Sequence, residues 1–103
     1  MKLEAVRRYA LSLDAVTEEP HHEMSSFRVR GRIFVTVPPA GDAIHVFVEE
    51  DDRERALASY PEWAGKLLWG GKVVGLRIVL AAAAPAAVKA LVLRAHEARA
   101  RKR

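Results

Sequence analysis

The stretch SSFRVRGRIFVTV, residues 25–37, constrains the fold more than any other part of the chain. Phe27 and Val29 alternate with Ser26, Arg28 and Arg30, the two-residue period of a strand. Ile33, Val35 and Val37 alternate with Phe34 and Thr36 in the same way. Gly31 stands between the runs. A two-residue turn at Arg30-Gly31 suits a type I′ hairpin, because glycine tolerates a positive φ. That turn pairs Arg28 with Ile33 and Phe27 with Phe34. A three-residue loop would shift the pairing and flip every side chain to the other face, so periodicity alone leaves the register open.

The flanking sequence supplies helices and further strands. Residues 2–13 read as a helix with Leu3, Val6, Ala10 and Leu13 along one side. DAVTEEPHHE reads as a loop, because Pro20 blocks helix continuation. VPPAGDA, residues 37–43, is a turn, and AIHVFV, residues 43–48, is a strand. EEDDRERALASYP predicts a helix whose acids favour the positive end of its dipole and whose stop is Pro61. EWAGKLLWGGK reads as irregular. VVGLRIVL, residues 73–80, places Val74, Leu76, Ile78 and Leu80 on one strand face. Pro85 opens the last helix at a favoured first-turn position, and Val88, Leu91, Val92 and Ala95 form its apolar stripe. The predicted order is helix, three strands, helix, strand, helix. Antiparallel strands with the N-terminal, middle and C-terminal helices on one face make a two-layer α+β sandwich. With no repeat or linker, the 103 residues form a single domain, 1–103.

Charge is unevenly spread along this domain. Residues 1–62 hold eight Lys/Arg and twelve Asp/Glu, whereas residues 63–103 hold nine Lys/Arg and one acid, Glu97. The basic tail RARKR, residues 99–103, carries much of that excess, which favours polyanions. It equally suits the negative end of a helix dipole. The chain has no cysteine, which removes disulfides and thiolate chemistry and fits a reducing compartment. The apolar run LAAAAPAAVKALVL is too short to span a bilayer and is interrupted by Pro85 and Lys89. No signal peptide is visible in MKLEAVRRYA. A cytoplasmic protein without a membrane partner is expected, with a monomer favoured over an oligomer.

No motif names a reaction. His21-His22-Glu23 lacks a second ligand group at metal-binding spacing, and His45 and His96 are isolated. The acids Glu49, Glu50, Asp51, Asp52 and Glu54 lack a calcium-loop pattern and fit a helix N-terminus. WGGK, residues 69–72, is followed by Val73 and a strand, unlike a phosphate loop, and reads as a turn anchored by Trp69. Ser12, Ser25, Ser26 and Ser59 have no nucleophile-elbow context. No enzymatic activity, cofactor or metal is expected.

What remains is a set of basic residues on turns. Arg28 and Arg30 share one hairpin face, with Arg32 just beyond the turn, and Lys66, Lys72 and Arg77 lie on or near the second glycine-rich turn. With Phe27, Trp63 or Trp69 nearby, they could form a surface for nucleic-acid phosphates. The same arginines could instead lay their stems on the outer sheet face with their heads in water.

The segment EEPHHEMSSFRVRGRIFVTV, with the later YPEW, WGGK and GLRIVL and the closing amphipathic helix, resembles the MmcQ/YjbR family. These are small bacterial proteins with a CyaY-like (frataxin-like) fold. The likeness runs from Leu3 to about Ala98 and is most specific in the His-rich loop leading into SFRVRGRIF. It implies an α+β sandwich with an antiparallel sheet, no enzymatic activity, and DNA binding through a double-wing arrangement. By carry-over, the wings are the hairpin around Arg28, Arg30 and Arg32 and the loop around Trp69, Gly70, Gly71 and Lys72. The chain departs from the family in GGKVVGLRI, which lacks the second aromatic that many members place near the start of the last strand. Frataxin-like proteins bind iron through acids on a helix and the adjoining strand edge. Here the acids precede the middle helix, so none of those residues is carried over. Weak, mainly phosphate-directed DNA binding is therefore expected. The alternatives are a protein-interaction or small-ligand module lined by His21, His22, Trp63 and Trp69, or a metal-handling role for residues 49–54.

Overall fold

The computed structural model describes residues 1–101. Helix α1 (Leu3–Ser12) is followed by strands β1 (Val16–His21), β2 (Met24–Val29), β3 (Arg32–Val37) and β4 (Ala43–Val46). Helix α2 (Glu50–Ser59), strands β5 (Ala64–Trp69) and β6 (Lys72–Val79), and helix α3 (Pro85–Arg101) complete the chain. The strands form one antiparallel sheet in the order β1-β2-β3-β4-β6-β5. Helix α3 packs across β2, β3 and β4, α1 covers β1, and α2 covers β5. This is the expected α+β sandwich, and the expected stripe Val88, Leu91, Val92 and Ala95 is buried.

Two strands were not expected. β1 lies where a loop was read, and β5 where the chain was read as irregular. Both are sheet edges. An edge strand tolerates Pro20, because one row of its backbone groups needs no ladder partner. The core-side positions of β1, paired with Val29, Phe27 and Ser25, are Val16, Glu18 and Pro20, so it has no apolar alternation to read. Glu18 sits there because Arg7 Nε donates to its two oxygens at 3.0 and 3.2 Å and Ser25 Oγ donates at 2.7 Å. Burial alone would raise the Glu18 pKa; the hydrogen bonds from Arg7 and Ser25 outweigh it, and the net effect is a lowered value.

The Arg30-Gly31 turn is the two-residue kind, with φ of 52° and 80°, and Arg28 pairs with Ile33. The expected Phe27–Phe34 pair is replaced by Phe27–Val35. Phe34 is the extra residue of a β-bulge, which lets both Phe34 and Val35 enter the core, each fully buried. Each such side chain contributes about 1.5–3 kcal/mol of burial free energy, which favours this register over regular alternation. The Gly70-Gly71 turn repeats the device. Its φ values are 57° and 80°, and Val74 is the extra residue opposite Leu67 and Leu68. The bulge moves Val74 off the face of Leu76 and Ile78, where alternation placed it, and onto the open side of the sheet.

Register also fixes where the turns lie. Val35 pairs with Val46, and Val46 with Leu76. The start of β3, the end of β4 and the start of β6 therefore share one end of the sheet. Both glycine turns project from that end, three strand spacings apart, on the order of 14 Å. The last turn of α3 reaches the same end, where Arg30 Nη1 and Arg32 Nη1 approach the carbonyls of Ala100 and Arg99 at 3.4 Å.

Candidate functional site

Two surfaces meet at this end of the molecule. The first is the pair of turns. Arg30 is exposed at a left-handed position, Arg32 is half-buried beside α3, and Lys72 is exposed at the base of the second turn. The 3.4 Å approaches to helix carbonyls are longer than good N–H···O bonds, so they leave Arg30 and Arg32 free to turn outward. Arg101, also at this end, pairs with Glu49 at 2.9 Å, and Glu50 faces Arg53 at 3.6 Å.

The structure separates the other basic candidates from these tips. Arg28 lies along the outer sheet face, donating to Ser26 Oγ at 3.0 Å and to the Pro20 carbonyl at 3.3 Å. Arg77 is exposed on the same outer face, paired with His45. Lys66 pairs with core-facing Leu76, so it leaves the sheet on the helix side of the β5 edge. Neither Lys66 nor Arg77 belongs to the Gly70-Gly71 turn. Lys102 and Arg103 of the basic tail lie outside the described residues.

The aromatic candidates are redistributed as well. Phe27 is wholly buried and cannot touch a partner. Trp63 is a core residue, 7% exposed and stacked on Tyr60 at 4.5 Å, so it lines no loop pocket. Trp69 does not anchor its turn; it is 79% exposed, and its neighbour Leu68 is 60% exposed.

The second surface is a groove of about 530 Å³ on the outer face of the sheet. His21, His22, Trp69 and Leu68 line it, with Met24, Ile33, Leu67 and Val74 as further apolar lining. His21, His22 and Trp69 are thus brought together as the ligand-module reading expected, without Trp63. The other nine lining residues were not offered as site residues from sequence, among them Thr36, His45, Phe47 and Arg99. The signal for two of them was present, since alternation in AIHVFV sets His45 and Phe47 opposite Ile44, Val46 and Val48. Phe47 lies against Gly75, where an added Cβ would come within 3.3 Å of its ring. The Arg99 guanidinium stands 5.8 Å from the centre of the Phe47 ring. Its Nε is buried and has no hydrogen-bond partner among the described residues. His45 Nδ1 lies 3.2 Å from Thr36 Oγ1. Burial, and secondarily the charge of Arg77, pushes the His45 imidazole below its ordinary pKa, so at neutral pH it is uncharged.

The remaining candidates serve the fold. Of the acids in residues 49–54, Asp52 pairs with Arg94 at 3.1 Å and Arg55 at 3.4 Å, and Glu54 with Arg53 at 3.1 Å. His96 is buried in α3, 2.8 Å from the Asp14 carbonyl and edge-on to Phe34. Among the described residues, no three histidines or carboxylates are grouped to hold a metal ion, and no helix is long and apolar enough to cross a membrane. Comparison with curated proteins and with solved structures returned no match. The comparison with protein families did return one, and it covers the whole sheet, both glycine turns and most of α3: the YjbR family model matches residues 11–98, and the chain belongs to that family.

Proposed function

We propose that this protein binds DNA through its two glycine turns, by contacts to phosphates rather than to bases. The observation that carries the reading is the common end of the sheet occupied by both turns, each basic, with Arg30 and Arg32 on one and Lys72 on the other. Arg30 adds to it. A type I′ turn favours Asn or Gly at this first position, and a non-glycine left-handed residue costs on the order of 1–2 kcal/mol. An arginine placed there, with its side chain exposed, fits a residue kept for its charge. The role is one of binding rather than catalysis.

Arg28 lies along the outer sheet face, held by its 3.0 Å hydrogen bond to Ser26 Oγ, so three phosphate contacts are expected, from Arg30, Arg32 and Lys72. Log affinity for duplex DNA should then fall with log salt at a slope of about −3. Fluorescence anisotropy with a labelled duplex measures it. Changing Arg30→Asn and Lys72→Gln together should lower the magnitude of that slope by about two. An unchanged slope would remove the turns from the contact surface.

A further inference from the structure

The outer-face groove has a composition that the turns do not explain. It is lined by three kinds of ring (Trp69, Phe47 and the histidines) and by the aliphatic side chains of Ile33, Leu67 and Val74. Among the described residues, no carboxylate lines it and Arg99 is its one permanent cation. Arg99 is not spent on an internal partner through Nε, which is buried without a hydrogen bond among the described residues. Its position over the Phe47 ring fixes where the charge sits relative to the apolar floor. Leu68 and Trp69 stand exposed at 60% and 79%, which is where a bound apolar body would be covered from water. A groove of about 530 Å³ lies within the ordinary range for small-molecule sites.

We infer that this groove binds a small aromatic carboxylate, with its rings against Trp69 and Phe47 and its anionic head on the Arg99 guanidinium. An apolar body suits the lining, and a single negative charge satisfies the cation that the groove leaves without an acid. Thr36 and neutral His45 offer further hydrogen-bonding groups without adding charge. The inference rests on the groove alone and does not need the turns to contact DNA.

The test uses 2-naphthoate and its neutral analogue 2-naphthamide, titrated into the ¹⁵N-labelled full chain and followed by amide shifts. The expected result is saturable shifts at Phe47, Trp69 and Val74, with naphthoate bound at least about tenfold tighter than naphthamide. Arg99→Met keeps the apolar stem and removes the charge, so it should abolish that preference while naphthamide binding persists. Trp69→Ala changes an exposed side chain and should weaken both ligands while leaving Tm in place. Should Arg99→Met fail to fold, the wild-type ratio of the two ligands still decides. Absent or non-saturable shifts in the groove, equal affinities for the two ligands, or a preference that survives Arg99→Met would overturn the inference.

Discussion

Changing Gly75→Ala should destabilise the protein even though it adds only one methyl group. Gly75 lies in the interior of β6, where β4 passes alongside. A Cβ built there would stand 2.7 Å from the Val46 carbonyl oxygen and 3.3 Å from Phe47 Cδ1, against an ordinary contact of 3.4 Å or more. The Phe47 ring can give way, but the carbonyl cannot retreat easily, because Val46 is held in the ladder between Val35 and Leu76. Overpacking of this kind costs about 1–3 kcal/mol. Alanine also loses less backbone freedom than glycine on folding, which returns roughly 0.5–1 kcal/mol. The net loss should be about 1–2 kcal/mol. In a domain of this size that lowers Tm by roughly 5–15 °C, readable by calorimetry and by urea denaturation. Adding Phe47→Ala should recover little, because the closer clash is with backbone. A Gly75→Ala variant as stable as the wild type, or one rescued by Phe47→Ala, would refute this reading of how β4 and β6 set the groove floor.

Two further predictions concern the β1 edge and the β2–β3 turn. Glu18→Gln should cost less than about 1 kcal/mol near neutral pH, since the Arg7–Glu18 pair is partly exposed. Because the folded-state pKa of Glu18 is lowered, its contribution is fully present above the ordinary carboxylate pKa and is lost as pH falls through the folded value. The stability difference between the two proteins, measured by denaturation across that range, should shrink in acid; a constant difference would show that the ionised pair is not its source. Arg30→Asn should raise stability by a few tenths to about 1 kcal/mol, because asparagine suits a positive φ at the first position of a type I′ turn. A loss measured by urea denaturation would mean that the long contact to the Ala100 carbonyl outweighs the backbone cost.

Helices α1 and α3 were legible because each buries apolar side chains at helical spacing, whereas α2, which buries only Asp52 and Ala56, was legible from its acidic first turn and from Pro61. Val88, Leu91, Val92 and Ala95 are spaced for a helix and lie against the sheet. The hairpin turn at Arg30-Gly31 was legible for a local reason, since glycine marks the positive φ. The edge strands were hidden because their neighbours supply the pairing while their own residues carry little apolar alternation. In β1 the core side holds a carboxylate and a proline; in β5, Gly65 and Lys66 break the pattern. Bulges were illegible for another reason. They bury Phe34 and Val35 together and move Val74 to the groove, a choice made by packing across strands rather than along one.

The site was legible in parts. Arg30, Arg32 and Lys72 do gather at one end of the sheet, and His21, His22 and Trp69 do line one groove. Arg28, Lys66 and Arg77 were grouped with the turns because they are close to them in sequence. Strand alternation and edge position take them to other surfaces. Arg99 could not be placed from the chain, because only the packing of α3 brings it beside Phe47, across the end of β4. Trp63 looked equivalent to Trp69 in a tryptophan-bearing loop region. Stacking on Tyr60 makes one a core residue, and the turn leaves the other in water.

Amide-shift mapping of the ¹⁵N-labelled protein with a short DNA duplex at low salt decides whether the two turns contact DNA. The shifts should concentrate at Arg30, Gly31 and Arg32 and at Gly70, Gly71 and Lys72, and fade together as salt is raised. Shifts confined to one turn, shifts centred on α1 or the β1 edge, or no shifts at low salt would contradict it.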